Sequence, residues 1–200
     1  MLETAEVRWF LPGPLPGERL AAFQDVPIPG VPEERTDWYL TAAQRPDLGL
    51  KVRGAGWFDL KRRTEAEPDH AFSDTMRGTL EHWVKWSFPL AADPVEEVLG
   101  WHRVDKSRWI RRYEVGDTGS AMAVPFERVI ESGCGAELSD VLVDGTPSWS
   151  LGFEAFGPPD ALESALTAGV SAFLADSPEL TAVSFMQTDS HSYPSWLADV

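Results

Sequence analysis

The feature that most constrains the fold of this chain is a succession of nine segments rich in β-branched and aromatic residues. Within the segments, apolar and polar side chains partly alternate, which is typical of β-strands covered on one face. Turn residues separate several of them, as at Gly54-Ala55-Gly56 and Asp144-Gly145, where glycine supplies the positive φ of a tight hairpin. The predicted strands span residues 6–11, 35–41, 48–54, 57–63, 80–88, 101–115, 120–130, 136–143 and 148–156.

Helical signals are few. Asp93 and Asp160 each stand three residues before a glutamate, which is the spacing of a helix N-terminus. They predict a short helix over 93–100 and a longer helix that ends before Pro178. Residues 18–25 are expected to form one or two helical turns, and residues 181–186 a last strand or an extended tail. The segment 192–197 is expected to be an aromatic tail that packs on the body.

Two hundred residues suit a single domain, and hydrophobic residues make up 43% of them, as in globular proteins. Nine antiparallel strands in a chain of this size usually close into a barrel or a sandwich. We therefore predict one domain over residues 1–200 of the α+β class, mainly β, with eight or nine antiparallel strands and two or three helices.

The charge balance excludes several functions. The chain has 17 Lys+Arg against 32 Asp+Glu, a formal net charge of −15, which argues against non-specific binding to nucleic acid or to an anionic membrane. Its apolar runs are far too short to span a bilayer, and the start has no basic region followed by an apolar one. A cytoplasmic location is expected. The single cysteine, Cys134, excludes an internal disulfide and a multi-cysteine metal site.

Basic residues are concentrated on the predicted strands, although the chain as a whole is acidic. Within one strand, residues two apart share a face, so Lys51 lies with Arg53 and Lys61 lies with Arg63. Two arrangements fit this pattern. The cations either face outward and pair with cross-strand carboxylates, or face inward and form a ring that binds a polyanion such as phosphate. The same pattern continues in later strands at Lys85, Arg108 and Arg112.

The order of these pieces resembles the CYTH superfamily, the triphosphate tunnel enzymes that include class IV adenylate cyclases, thiamine triphosphatases and inorganic triphosphatases. The resemblance lies in residues 6–10, 36–40, 48–53 and 58–63, followed by an acidic strand at 135–145 and a final strand at 150–157. It covers roughly residues 3–175. It implies an antiparallel, eight-stranded tunnel whose cationic side chains grip a triphosphate.

The resemblance also implies the site. Lys51, Arg53, Lys61, Arg108 and Arg112 are the phosphate-gripping candidates, and Arg8, Arg63 and Lys85 belong to the same predicted ligand-binding set. Glu6 and Glu154 are the candidate ligands of Mg²⁺ or Mn²⁺, which would assist the attack of water on the terminal phosphoryl group.

The first strand departs from the family pattern Glu-x-Glu-x-Lys. It reads Glu6-x-Arg8-x-Phe10, so an arginine replaces the second glutamate and a phenylalanine replaces the lysine. An arginine beside a divalent ion repels it and can neutralise Glu6. The sequence therefore predicts a degenerate tunnel that binds a small phosphorylated anion, with weak or absent metal-dependent hydrolysis.

Two alternatives stay open at this point, and the oligomeric state is not predicted. One is an active metal-dependent triphosphatase or cyclase, which needs Glu6, Glu154 and another carboxylate to rebuild the metal site. The other is an unrelated β-barrel that carries an apolar ligand or a protein partner. The side of the sheet on which Lys51, Arg53 and Lys61 lie separates the second alternative from the tunnel.

Overall fold

The computed structural model describes residues 1–41, 45–54, 56–90, 100–116 and 118–200. All nine predicted segments contain a strand. The strands are β1 Leu2–Pro12, β2 Val31–Leu40, β3 Leu48–Arg53, β4 Trp57–Ser73, β5 Met76–Pro89, β6 Trp101–Val115, β7 Ala121–Val124, β8 Gly133–Val143 and β9 Thr146–Phe156. The helices are α1 Gly17–Gln24, α2 Leu162–Asp176 and α3 Tyr193–Leu197, with short 3₁₀ turns at Pro159–Ala161, Pro178–Ala182 and Gln187–Asp189.

The strands form one antiparallel sheet that closes on itself. Its order is β2-β3-β4-β5-β1-β9-β8-β6-β7, and a further pairing of β2 with β6 completes an eight-stranded barrel. Strand β7 lies outside the ring, on the end of β6 beyond the stretch that pairs with β2. Closure removes the exposed edges of the eight strands. The predicted class, a mainly β tunnel-like barrel with a few helices, is confirmed.

The main apolar core lies outside the barrel wall. On β1, Val7 and Trp9 point to the outer face and are buried, and Phe153 of β9 is beside them. Helix α2 covers this face with Leu166 and Phe173, both fully buried. Burying these side chains on the outer face leaves the inner face of the same strands free to carry polar groups.

A second, smaller apolar cluster closes one end of the barrel. Helix α3 places Tyr193 and Trp196 there, and Trp196 stacks on Phe10 at a centroid distance of 4.0 Å. Leu197 is buried against residues of β2, β6 and β8. We call this segment, Ser192–Leu197, the plug. The prediction that the aromatic tail packs on the body is confirmed, and the structure locates it at the barrel end.

Two local predictions need correction and two are confirmed. The strand expected over 120–130 ends at Val124, because Pro125 lacks the N–H that continues a ladder. Residues 181–186 contain no strand: only Phe185 forms a single bridge, to Met76. The predicted turns over 18–25 correspond to α1, and the helix from Asp160 is α2, preceded by a 3₁₀ turn.

Two local predictions involve residues that the structure does not describe. The helix expected over 93–100 lies almost entirely outside the described residues, as does Ala55 in the first predicted hairpin. The second hairpin is described, and Asp144 and Gly145 both have positive φ, 48° and 89°. None of the helices in the described ranges is long and apolar enough to cross a membrane.

The contact of α2 with the barrel wall gives a test of this packing. A Cβ added at Gly169 would lie 2.3 Å from Cβ of Cys134 on β8. We expect Gly169→Ala to lower the free energy of unfolding by about 1–3 kcal/mol, despite the better helix propensity of alanine. Thr167→Ala, on the exposed face of the same helix, is the matched control and should have little effect. Urea titration measures both, and a more stable Gly169→Ala would contradict the close approach of helix and wall.

Candidate functional site

The barrel register places all of the predicted site residues on the inner face. Antiparallel partners share a face, and Glu6 is paired with both Glu81 and Glu154, while Lys51 is paired with Asp59. The outer face of β1 and β9 is the one packed under α2. The inner-facing side chains among the predicted set are Arg8, Lys51, Arg53, Lys61, Arg63, Lys85, Arg108 and Arg112, together with Glu6 and Glu154.

Asp37 is the centre of the first charged cluster in the lumen. Its carboxylate is fully buried and accepts hydrogen bonds from Lys106 Nζ and Arg35 Nη2, both at 3.0 Å. Lys51 Nζ lies 3.5 Å from the same carboxylate. Three cations therefore surround one carboxylate, and although burial opposes it, they hold the pKa of Asp37 well below its usual range.

Asp59 is the centre of a second cluster beside the first. Arg53 lies 2.9 Å from its carboxylate and Lys85 lies 3.6 Å away, while Ser87 Oγ donates a hydrogen bond at 2.7 Å. Lys51 Nζ is 4.0 Å from Asp59, so this lysine stands between the two aspartates. The two clusters together hold more positive than negative charge.

Burial is the main influence on the titration of the two lysines in these clusters. Burial, together with the neighbouring charges of Lys106 and Arg35, lowers the pKa of Lys51 to about 7 despite the attraction of Asp37. Burial likewise lowers the pKa of Lys106 to about 8. Its ammonium also donates to Tyr39 Oη at 2.8 Å and lies 3.9 Å from the ring centroid of Tyr193 in the plug.

The two predicted metal ligands lie on neighbouring strands but are bridged by a lysine. Lys61 Nζ lies 2.5 Å from Glu6 and 3.8 Å from Glu154. Attraction to both carboxylates raises the pKa of Lys61 although burial opposes it, so the lysine stays charged. An ammonium thus occupies the position between the carboxylates that a cation would take. The side chains present do not fit a divalent ion there.

Arg8, which replaces the second glutamate of the family pattern, is also paired. It lies 2.9 Å from Glu137 and donates to Ser150 Oγ at 2.9 Å. Arg108 contacts the same Glu137 at 2.6 Å and Glu33 at 2.5 Å. Arg8 and Arg108 lower the pKa of Glu137 far below its usual range despite its burial.

The last two predicted cations have different partners. Arg63 forms an ion pair with Glu81, whose other oxygen accepts a hydrogen bond from Trp83 Nε1 at 3.0 Å. Arg112 donates to the backbone carbonyls of Phe126 and Arg128, so it holds a loop in place. Both side chains line the lumen, but neither is an unpaired cation.

Several members of the charged network are absent from the predicted site, namely Glu33, Arg35, Asp37, Asp59, Glu81, Lys106 and Glu137. Lys106 could have been found, because it stands two residues before Arg108 on the same face of one strand. The same spacing links Arg35 to Asp37. Which cation meets which carboxylate depends on the pairing of distant strands, which a single sequence does not reveal.

Two cavities are found in the part of the lumen that the structure describes. The inner cavity has a volume of about 80 Å³ and lies between the plug and the strand wall that carries Lys51, Lys61 and Glu6. The second, about 210 Å³, lies at the end of the barrel opposite the plug, and we call it the mouth cavity. Arg8 and Glu154 line both cavities.

One cluster of metal-ligating side chains is found in the described part of the chain, and it lies outside the lumen. It consists of Glu67, His70 and Glu163, whose ligand atoms lie within 4.8 Å of one another. Both glutamates are exposed, and His70 Nδ1 is 3.0 Å from Glu67. The predicted metal ligands Glu6 and Glu154 are not part of this cluster.

No family model matches the sequence, and no curated protein matches it. Solved structures do match it, and two of them are the following. The PH1819 protein from Pyrococcus horikoshii OT3 is 13% identical, with a TM-score of 0.46 over 98% of both chains. A chain of the Schizosaccharomyces pombe Mediator head module is 10% identical, with a TM-score of 0.45 over 90% of this chain and 96% of that chain. Such distant similarity carries no argument about function, and CYTH membership stays a prediction.

The Asp37 cluster gives a prediction about stability. Asp37→Asn leaves Arg35, Lys51 and Lys106 without their shared counter-charge, so we expect a loss of about 3–5 kcal/mol in the free energy of unfolding. Asp47→Asn, which removes the partner of the solvent-exposed Arg45, is the control and should change the free energy of unfolding little. Urea titration compares the two variants. An equal loss of free energy of unfolding in the two variants would contradict the role of Asp37 as the shared counter-charge of the three cations.

The lowered pKa values of Lys51 and Lys106 predict a dependence of stability on pH. Above pH 7 the folded protein begins to release protons that the unfolded chain retains, so the free energy of unfolding should rise between pH 7 and 8.5. The slope is at most about 1.4 kcal/mol per pH unit for each proton. Lys51→Met should flatten the slope in urea titrations at constant ionic strength. A fall in wild-type stability over this window would contradict the assignment.

Proposed function

We propose that the lumen binds a small phosphorylated anion and does so without a catalytic divalent metal. The observation that carries this proposal is the position of Lys51 between Asp37 and Asp59. Each aspartate has two further cations beside it: Arg35 and Lys106 at Asp37, and Arg53 and Lys85 at Asp59. Phosphoryl oxygens are strong acceptors for such donors. An anion bound here would offset the surplus positive charge that the two aspartates leave.

The dimensions of the lumen support a ligand that enters with one phosphoryl group first. The inner cavity of about 80 Å³ has room for only a few water molecules or one tetrahedral oxyanion. The mouth cavity is larger and leaves room for the rest of the ligand. A triphosphate, a nucleotide and a polyphosphate all end in such a group.

The partners of the first strand argue against metal-dependent hydrolysis. Glu6, Arg8 and Phe10 stand at the three positions of the family pattern. Glu6 forms an ion pair with Lys61, Arg8 forms one with Glu137, and Phe10 packs against the plug. A triphosphatase or cyclase of the family type would have to displace Lys61 from between two carboxylates. The remaining alternative, a barrel lined for an apolar ligand, is disfavoured because Lys51, Arg53 and Lys61 face the lumen.

Binding of an anion next to Lys51 should be linked to protons. The anion favours the charged lysine and so raises its pKa, which means that binding takes up protons near neutral pH. The affinity should therefore fall as the pH rises above 7. This linkage distinguishes the lumen from an exposed arginine patch, whose charge is constant over this range.

The proposal predicts that phosphate compounds raise the melting temperature. Inorganic phosphate, tripolyphosphate and ATP are each tested with and without Mg²⁺, and binding to the folded state should raise the melting temperature in proportion to ln(1 + [L]/Kd). The double variant Lys51→Ala/Arg53→Ala should lose the shift. Arg62→Ala, an exposed neighbour of Lys61 on β4, should keep it.

The outcomes separate the alternatives. A shift that is the same with and without Mg²⁺ supports anion binding, whereas a shift that requires Mg²⁺ supports the metal-dependent enzyme. If no phosphate compound changes the melting temperature, the lumen does not bind this class of ligand and the proposal fails.

A further inference from the structure

Strand β7 lies at an open edge of the sheet. It pairs with β6 on one side and is the last strand in the sheet order, so its other edge has no strand partner in the described part of the chain. Edge strands of natural proteins are usually protected by charged residues that prevent pairing with another chain. Strand β7 reads Ala-Met-Ala-Val and carries no charge, although the chain as a whole is strongly acidic.

The hairpin that joins β6 to β7 fixes which backbone groups face the open edge. Gly116 N–H donates to the carbonyl of Ser120 at 3.0 Å, so these two residues form a hydrogen-bonded pair. Hydrogen-bonded and non-hydrogen-bonded pairs alternate along an antiparallel ladder. The backbone of Met122 is therefore bonded to β6, whereas the N–H and C=O groups of Ala121 and Ala123 point away from β6. The edge thus presents two donors and two acceptors.

Exposed apolar side chains lie in this strand and in the loop that follows it. Met122 is 68% exposed, and Phe126 and Val129 are 38% and 93% exposed. The side chains of Ala121 and Ala123 point to the opposite face, where they pack against the main core under α2. Three large apolar side chains exposed within eight residues are typical of a surface that a partner covers.

Open space lies between β7 and helix α2. A solvent-open cavity of about 830 Å³ lies between Ala121 at the start of β7 and the helix. A second, of about 370 Å³, lies between β7, the end of α2 and the segment 26–28. Ala121 and Ala172 line both cavities, and the helix contributes mostly small side chains to them. An added strand beside β7 would therefore have room for its side chains on the α2 side.

The charge of this space selects the kind of partner. Asp160 and Glu163 line the larger cavity, and none of the described residues that line it is basic. Asp176 lines the smaller cavity and is paired there with the buried Arg111. Carboxylates without a cation beside them attract a basic partner, whereas a second copy of this chain, with a net charge of −15, is repelled.

We propose that β7 receives an extended, basic segment of a partner protein as an additional strand. The backbone of that segment pairs with the N–H and C=O groups of Ala121 and Ala123, and its side chains alternate between the two faces. Those on the α2 side face Asp160 and Glu163 and are lysine or arginine, and those on the other side lie beside Met122 and are apolar. This inference does not depend on anion binding in the lumen.

Hydrogen exchange of single amides tests the edge. In the free protein, the amides of Ala121 and Ala123 should exchange rapidly, whereas the amide of Met122 is protected by its bond to β6. The probe is a capped seven-residue peptide that alternates lysine and valine. Its binding, followed by fluorescence anisotropy, should slow exchange at Ala121 and Ala123. A peptide that alternates glutamate and valine should not bind.

Two variants separate backbone pairing from charge. Ala123→Pro removes an outward N–H and no bond to β6, so it is compatible with the fold, and it should weaken binding of the lysine–valine peptide about fivefold, the equivalent of one hydrogen bond. Asp160→Asn/Glu163→Gln should weaken it about threefold or more. Glu179→Gln, an exposed glutamate outside the two cavities, is the matched control and should bind like the wild type.

Three results would overturn the inference. The first is failure of the lysine–valine peptide to bind, or equal binding of the glutamate–valine peptide. The second is an affinity for the lysine–valine peptide that either variant leaves unchanged. The third is self-association of the protein in sedimentation experiments that Ala123→Pro abolishes, because the edge would then belong to a second copy of the chain.

Discussion

Mutual neutralisation of charges inside a closed barrel is the constraint on which this structure depends. Ionised groups removed from water cost several kcal/mol each unless opposite charges and hydrogen bonds replace the lost hydration. The lumen meets this condition with carboxylates that each serve more than one cation, as Asp37, Asp59 and Glu137 do. Because the pairs join strands that are far apart in sequence, they also bind the wall together across its interior.

The barrel reverses the usual distribution of polarity. Its main apolar core lies outside the wall beneath α2, and a network of paired charges lies inside. This arrangement explains how an acidic protein keeps a cation-rich interior: many of its basic residues face the lumen, and much of the acidic excess lies on the surface. The outer face is therefore repelled by polyanionic surfaces, whereas a small anion that enters the lumen meets paired but numerous donors.

The sequence predicted the fold class, the strands and the set of residues that share a face, because strand alternation is a local property. It did not predict the ion pairs. Lys61 bridges Glu6 and Glu154 only because β4, β1 and β9 come together when the barrel closes, and that register depends on the whole sheet. The long extensions of β4 and β5 were missed for a similar reason, since Pro68 and several charged residues weaken the strand pattern there. The position of the plug could not be predicted either, because it is set by aromatic contacts with Phe10 and Tyr39, whose strands are distant from the plug in sequence.

The plug has a consequence for the shape of any ligand. With Tyr193, Trp196 and Leu197 filling one end, the barrel is a cup and not a tube. A long chain molecule cannot thread through it and emerge on the far side; only its terminus can be received. Whatever enters leaves by the route it came, so the protein is suited to recognising ends and not to sliding along a polymer.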